Sequence, residues 1–393
     1  MQLERHRDNQ QWVLDHLVKT TGRVQNFFDD GRALPPEVKS YAMIPRALAK
    51  EAAHQEAIGR AAEEAGHYRT AREAYWAAAD TYREAQHAIF EDDHPLKIQL
   101  WANVDACYDK IIQYSEYPIE RVEIPWEGVT LAALVHLLPG RPKAPFVLYV
   151  PGMDGTKENA LDPTNNIFLD RGFHVLALDG PGQGSSNLRK IRVTDDNYER
   201  AGRAAIDYIL QRPELDEDKV VVFGSSMGTF WGSRLAASDP RVRACATVRA
   251  CYGPKQHIFD QASPRFKQVF MYMAGMHDEA EFDQMAARMT LDACAPRIQC
   301  PTLMVTGEYD PLCYLDETEA VFEAIGGPKE LWVFENEAHS LRGMKGLGGL
   351  NVYGFMLDWL QDALRGRYGP GYRRRVLIPQ RTGTGPYTPG AEY

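Results

Sequence analysis

The chain has 393 residues, 44% of them hydrophobic and 25% charged, which fits a globular protein with a large core and room for two domains. A net charge of −10 argues against a nucleic-acid partner, and no apolar run reaches the roughly 18 residues of a membrane span. The N-terminal MQLERHRDNQQW lacks the apolar core of a secretory signal, and the six cysteines (Cys107, Cys245, Cys251, Cys294, Cys300, Cys313) lack zinc-type spacing, so they read as reduced thiols of a cytoplasmic protein.

Residues 1–118 read as helical throughout. In EAIGRAAEEAGHYRTAREAYWAAADTYREAQHAIF the apolar residues recur at steps of three and four: Ala57, Ala61, Ala65, then Ala71, Ala74, Tyr75, Ala78, Ala79, Tyr82. Gly66-His67 breaks this into two antiparallel helices, a single hairpin with no sustained repeat. At RVEIPWEGVTLAALVHLLP the period becomes strand-like, with Glu127-Gly128 as a hairpin turn. Apolar runs at 146–150, 174–179, 220–224, 244–248, 302–307 and 331–335 then read as strands buried on both faces of a parallel sheet. Helices fit between them at 196–211, 226–237, 314–325 and 351–365, so residues 119–365 form an α/β domain. Residues 366–393 are rich in Gly, Pro and Arg and read as an extended tail. The Arg373–Arg375 run is too short for a nucleic-acid surface, and Val376–Ile378 could add to a sheet edge or lie across a dimer partner.

Within the third of these runs and the helix after it, Gly224-Ser225-Ser226-Met227-Gly228 fits G-x-S-x-G, a turn that holds its central serine exposed between a buried strand and a helix. Ser226 is therefore the candidate nucleophile, Ser225 a small packing residue. An ordinary turn with a capping serine is the plainer reading; the flanking strand and helix favour the nucleophile. A serine needs a base, and the base an orienting acid, in the chain order Ser, Asp or Glu, His. Asp310 in TGEYDP and His339 in ENEAHS follow two later strands, with Glu308 the runner-up acid. His257, in a loop after a strand, reads as a solvated histidine. Two backbone amides are expected to hold the developing oxyanion: Met227, directly after the serine, and Met153 in VLYVPGMDGTKEN. Asp154 reads as a turn or cap residue. The loop LDGPGQGSS lacks the residues of a phosphate cradle. FKQVFMYMAGM supplies Phe266, Phe270 and Tyr272 as candidate substrate contacts, or else it is an ordinary buried helix. No cofactor and no metal is expected.

PGMDGTKEN, DRGFHVLALDGPGQGSS, FGSSMG, TGEYDP and NEAHS, in that order, resemble the α/β-hydrolase family. The helical AAEEAGHYRTAREAYWAAADTYREA narrows the resemblance to a subgroup of bacterial 2,6-dihydroxypseudooxynicotine hydrolases and fungal hydrolases that shorten polyketide naphthopyrones. The likeness spans residues from about 50 to 365, and RACYGPKQHIFDQASPRF departs from it. It implies an α/β-hydrolase fold, with a mostly parallel eight-stranded sheet flanked by helices and an N-terminal helical cap at 1–118. It also implies Ser226 as nucleophile, His339 as base and Asp310 as orienter, hydrolysing a C–C bond beside a carbonyl, often in an acylated aromatic ring. The helical segment would cover the site and help form a homodimer. An esterase or lactonase with the same triad, and a non-catalytic binding protein on a retained hydrolase fold, are the competing readings.

Overall fold

The computed structural model describes residues 34–35, 37–262, 264–341 and 347–379. Expectations for residues 1–33 and 380–393 lie outside these. Three long helices come first: α1 (Ile44–Glu64), α2 (Tyr68–His87) and α3 (Pro95–Gln113). Gly66 separates the first two at φ 74°, a left-handed conformation that side chains disfavour. The buried face of α2 is the expected one, Ala71, Tyr75, Ala78, Ala79 and Tyr82. That of α1 is not: Ala52, Gly59 and Ala62 are buried, while Ala57, Ala61 and Ala65 are exposed. Alanine is too weakly apolar to fix a helix's rotation, and close approach decides it instead. A Cβ at Gly59 would lie 3.0 Å from the Tyr75 ring. Leu100, Trp101, Val104, Tyr108 and Ile111 of α3 join Tyr75 and Tyr82 in one cluster with Ile119 and Leu134 of the adjoining sheet.

The sheet starts as a hairpin of β1 (Ile119–Trp126) and β2 (Val129–His136), with Glu127-Gly128 between them. It continues with β3 (Ala144–Val150), β4 (His174–Leu178), β5 (Leu215–Ser225), β6 (Val242–Val248), β7 (Thr302–Gly307) and β8 (Lys329–Phe334). The crossovers carry α4 (Gly184–Leu188), α5 (Asn197–Leu210), α6 (Met227–Ser238), α7 (Lys255–Gln261), α8 (Pro264–Ala274), α9 (Glu279–Ala287), α10 (Leu315–Ala324) and α11 (Val352–Leu364). Among the described residues the sheet has nine strands, not eight, because β9 (Arg373–Ile378) adds parallel to β8 at the edge. Strand order is β1-β2-β4-β3-β5-β6-β7-β8-β9, antiparallel as far as β4 and parallel beyond. Both faces of the parallel part are covered, which is why its strands are continuous apolar runs.

The last strand is held by one buried carboxylate. Glu330 of β8 accepts from Trp332 Nε1 at 2.8 Å, Trp359 Nε1 of α11 at 2.8 Å and Tyr372 Oη at 2.6 Å. Arg373 and Arg375 pair with Glu323 of α10, so the arginine run is an internal clamp rather than a free basic patch. Glu330→Ala leaves these donors buried without an acceptor and is expected to cost about 3 kcal/mol. Urea unfolding measures the loss, and limited proteolysis should show faster cleavage after Leu364.

A buried histidine joins the helical segment to the sheet. His136, on β2, has Nδ1 3.3 Å from Asn166 Nδ2 and 3.2 Å from Tyr117 Oη, and Tyr108 Oη of α3 lies 3.4 Å from Nε2. Burial pushes its pKa down to about 3. The native state therefore holds His136 neutral, while the unfolded chain takes up a proton below the ordinary histidine value of about 6.5. Its stabilising share is complete above that pH and is lost as pH falls towards 3, at about 1.4 kcal/mol per pH unit. The urea midpoint should drop between pH 6.5 and 4.5, and His136→Gln should flatten that drop.

Candidate active site

Ser226 sits at the β5–α6 turn with φ 56° and ψ −124°, a strained conformation for a residue with a side chain. The flanking glycines make the turn passable. A Cβ at Gly224 would lie 2.3 Å from the Gly228 carbonyl oxygen, and one at Gly228 would lie 2.0 Å from that of Val150. Ser226 begins α6 but makes no side-chain cap, so the hydroxyl is free for another partner. That partner is His339, whose Nε2 is 2.9 Å from Ser226 Oγ. On its other side, His339 Nδ1 is 2.8 Å from Asp310 Oδ2. With the ring neutral, Nδ1–H donates to the carboxylate and Nε2 accepts from the serine, an arrangement assigned from the network.

Asp310 is wholly buried past the end of β7, and its Oδ1 accepts from the Leu312 amide at 2.9 Å. Glu308 turns elsewhere, its Oε2 accepting from the Asn336 amide at 2.9 Å, and so braces the loop that carries His339. Gly307 lets the two loops meet: a Cβ there would lie 2.3 Å from the Glu337 carbonyl oxygen. His257 lies on α7 at the surface, 2.6 Å from Glu317, remote from this chain of hydrogen bonds. Ser225 is buried, with Oγ 3.4 Å from Tyr353 Oη.

The two expected amide donors flank the serine. Met227 follows it at the start of α6, where the first amides have no acceptor within the helix. Met153 follows Gly152, and a Cβ at Gly152 would lie 3.0 Å from Ser226 Cβ, so a side chain there would press on the serine. Gln183 fixes the loop by donating to the Gly152 carbonyl at 2.7 Å, and Tyr198 in turn donates to Gln183 at 2.7 Å.

Met153 also forms a wall of a cleft of about 420 Å³, counted with its open mouth. The other walls come from the end of α2, from α3, from Gly155-Thr156, from the β4–α4 loop and from α8. Ser226 itself is not part of this lining; the Met153 loop connects the two. Of the three expected contacts, Tyr272 lines the cleft. Phe270 does not: it is fully buried against Phe259, Phe282 and Trp231, because its side of α8 faces the core. Phe266 also packs on that core rather than lining the cleft. Asp154 lies 3.4 Å from His87 Nε2 and 3.5 Å from Arg265. Burial, countered in part by Asp154, brings the His87 pKa down to about 4, which leaves the ring neutral near pH 7. His87, Lys97, Thr156 and Asn187 were not legible as cleft residues, since each occupies an ordinary helix or loop position in the sequence.

A central mostly parallel sheet flanked by helices, with a strained serine at the β5–α6 turn, defines an α/β-hydrolase. A family model described as "Esterase FrsA-like" matches residues 49–309, more than half of the chain, and the chain belongs to that family. It is 29% identical over 306 residues to the 2,6-dihydropseudooxynicotine hydrolase of Paenarthrobacter nicotinovorans, covering 76% of this chain and 78% of that protein. It is 27% identical over 349 residues to hydrolase acrC of Aspergillus aculeatus, covering 73% and 80% of the two. The solved structure of 2,6-dihydroxy-pseudo-oxynicotine hydrolase shares the fold, with a TM-score of 0.72, 24% identity, and coverage of 86% of this chain and 93% of that one. The chain is thus an enzyme of the hydrolase class.

Proposed function

We propose that the chain is a serine hydrolase in which Ser226 is the nucleophile, His339 the general base and Asp310 the orienting acid, with the Met153 and Met227 amides holding the oxyanion. The continuous path Asp310–His339–Ser226, at 2.8 and 2.9 Å, carries this reading. The substrate is a ketone whose carbonyl is attached to an aromatic or polyketide ring, and the bond cut is the C–C bond between them. Similarity to the protein named 2,6-dihydropseudooxynicotine hydrolase supports this choice of substrate.

His339 takes the serine proton as Oγ attacks the carbonyl carbon, and the oxyanion forms against the two amides. The C–C bond then breaks. With the ring in its keto tautomer, whose acyl-bearing carbon already holds a hydrogen, the electron pair passes into an enolate delocalised onto the ring oxygen, and that enolate takes the proton from the His339 imidazolium. Water, activated by neutral His339, hydrolyses the acyl-serine to a carboxylic acid. A ring oxygen that delocalises the charge makes the carbon leaving group feasible.

A carboxylic ester or lactone is the second reading, favoured by the esterase description of the family. The helices before the sheet, within residues 1–118, act as a cap and form a homodimer contact, which light scattering of a chain lacking them tests. Six free thiols suit a reducing cytoplasmic setting. The deciding experiment incubates the enzyme with acylphenol, β-diketone, ester and lactone panels and weighs the products. Turnover of esters alone would replace the C–C reading. Absence of turnover, together with no labelling of Ser226 by a fluorophosphonate, would leave a binding protein.

A further inference from the structure

The cleft beside the Met153 loop is lined by polar residues that the Ser226–His339–Asp310 path does not use. Thr156 and Asn187 line it, and Thr156 Oγ1 and Asn187 Nδ2 are buried with no hydrogen-bond partner among the described residues. Such groups are costly to leave unpaired, so two in one cleft point to a ligand that satisfies them. The third is a cation. Lys97 of α3 is only 5% exposed, and its Nζ donates to the Ile89 carbonyl at 2.8 Å and sits 4.5 Å above the Tyr272 ring. No carboxylate among the described residues pairs with it. Burial brings its pKa down to about 7, despite the nearby Asp92 carboxylate. Phe90, Trp101 and Tyr272 supply aromatic walls around these polar groups.

We infer that Lys97, Thr156 and Asn187 are the specificity-determining residues of this enzyme, and that they recognise an ionisable ring oxygen, a phenol or enol, on the substrate. An amide N–H and an ammonium both donate to such an oxygen, and a threonine hydroxyl can accept from a neighbouring ring hydroxyl. The aromatic walls take the ring plane. The charge partner thus comes from the helical segment and the two neutral partners from the hydrolase part, Thr156 from the loop after β3 and Asn187 from α4, so the site is assembled only when the two are docked. A ring oxygen held by a cation also favours the delocalised leaving group that C–C cleavage demands. The inference rests on the hydrolase reading for its chemistry, but ligand recognition can be measured without it.

The test uses the full-length Ser226→Ala protein, which cannot turn over ligand through that serine, and titration calorimetry with 2,4-dihydroxyacetophenone and its dimethyl ether, 2,4-dimethoxyacetophenone. The dihydroxy compound should bind at least about tenfold tighter, the scale of one buried hydrogen bond to a charged group. Lys97→Met, Thr156→Val and Asn187→Leu, each added to that protein and checked for folding by circular dichroism, should cut the preference to about threefold or less. Equal affinities in the parent protein overturn the assignment. So does no binding of either compound at millimolar concentration, or a preference that survives in any folded variant. Fluorophosphonate labelling of the wild-type enzyme is run in parallel. An unlabelled Ser226 with the ligand preference intact sinks the hydrolase reading alone, and a labelled Ser226 with no preference sinks only this one.

Discussion

Ser226→Ala is expected to lower turnover on the order of a million-fold while leaving the urea midpoint unchanged. Members of a triad act as a unit, so loss of the nucleophile alone removes nearly all of their joint contribution. The fold should tolerate the change. The Ser226 hydroxyl does not cap α6, and its partner is His339, which is partly exposed and can turn to water. Alanine carries the same backbone strain at φ 56° as serine, so that cost of about 1 to 3 kcal/mol is neither added nor relieved. Product formation measured by mass spectrometry, with fluorophosphonate labelling on the same samples, provides the readout. Activity within tenfold of wild type would disprove the nucleophile assignment. Ser225→Ala should be mild by comparison, because that hydroxyl has only a long contact with Tyr353.

The parallel sheet was legible in the sequence because the central part of each strand from β3 to β8 is buried on both faces, which turns a three-dimensional property into a run of apolar letters. The triad candidates were legible for a related reason. Each follows one of these runs, and loops after parallel strands converge at one edge of the sheet. Where packing rather than pattern decides, the sequence was silent. The rotation of α1 depends on Gly59 meeting Tyr75, and no periodicity of alanines encodes that. The aromatic residues of α8 look equivalent as letters, yet Phe270 faces the core and Tyr272 the cleft. β9 was legible only as one of two options, since Val376–Ile378 reads as a run that could add to a sheet edge or lie across a dimer partner, and the buried Glu330 that holds it at the edge has no signature in the sequence. The cleft's polar groups come from α2, α3 and two loops far apart in the chain, and such convergence has no local signature.

Asp310→Asn is expected to reduce turnover about ten-thousand-fold, and the comparison with Glu308→Gln decides which carboxylate serves the histidine. Asp310 Oδ1 is fixed by the Leu312 amide, which leaves Oδ2 facing His339 Nδ1. The Leu312 N–H keeps the side-chain carbonyl oxygen of the asparagine at that position, so the new NH₂ points at Nδ1. It then donates where the carboxylate accepted, and the imidazole must place its own proton on Nε2. In that tautomer the ring cannot accept the serine proton, and no negative charge stabilises the imidazolium that catalysis requires. Asp310 is wholly buried, so water has no easy access to repair the contact. Glu308→Gln keeps an oxygen for the Asn336 amide and changes only the brace of the loop, so turnover should fall less than tenfold. Steady-state kinetics on the pair provide the measurement, with the circular dichroism spectra matched first. A Glu308→Gln enzyme more damaged than Asp310→Asn would transfer the orienting role to Glu308.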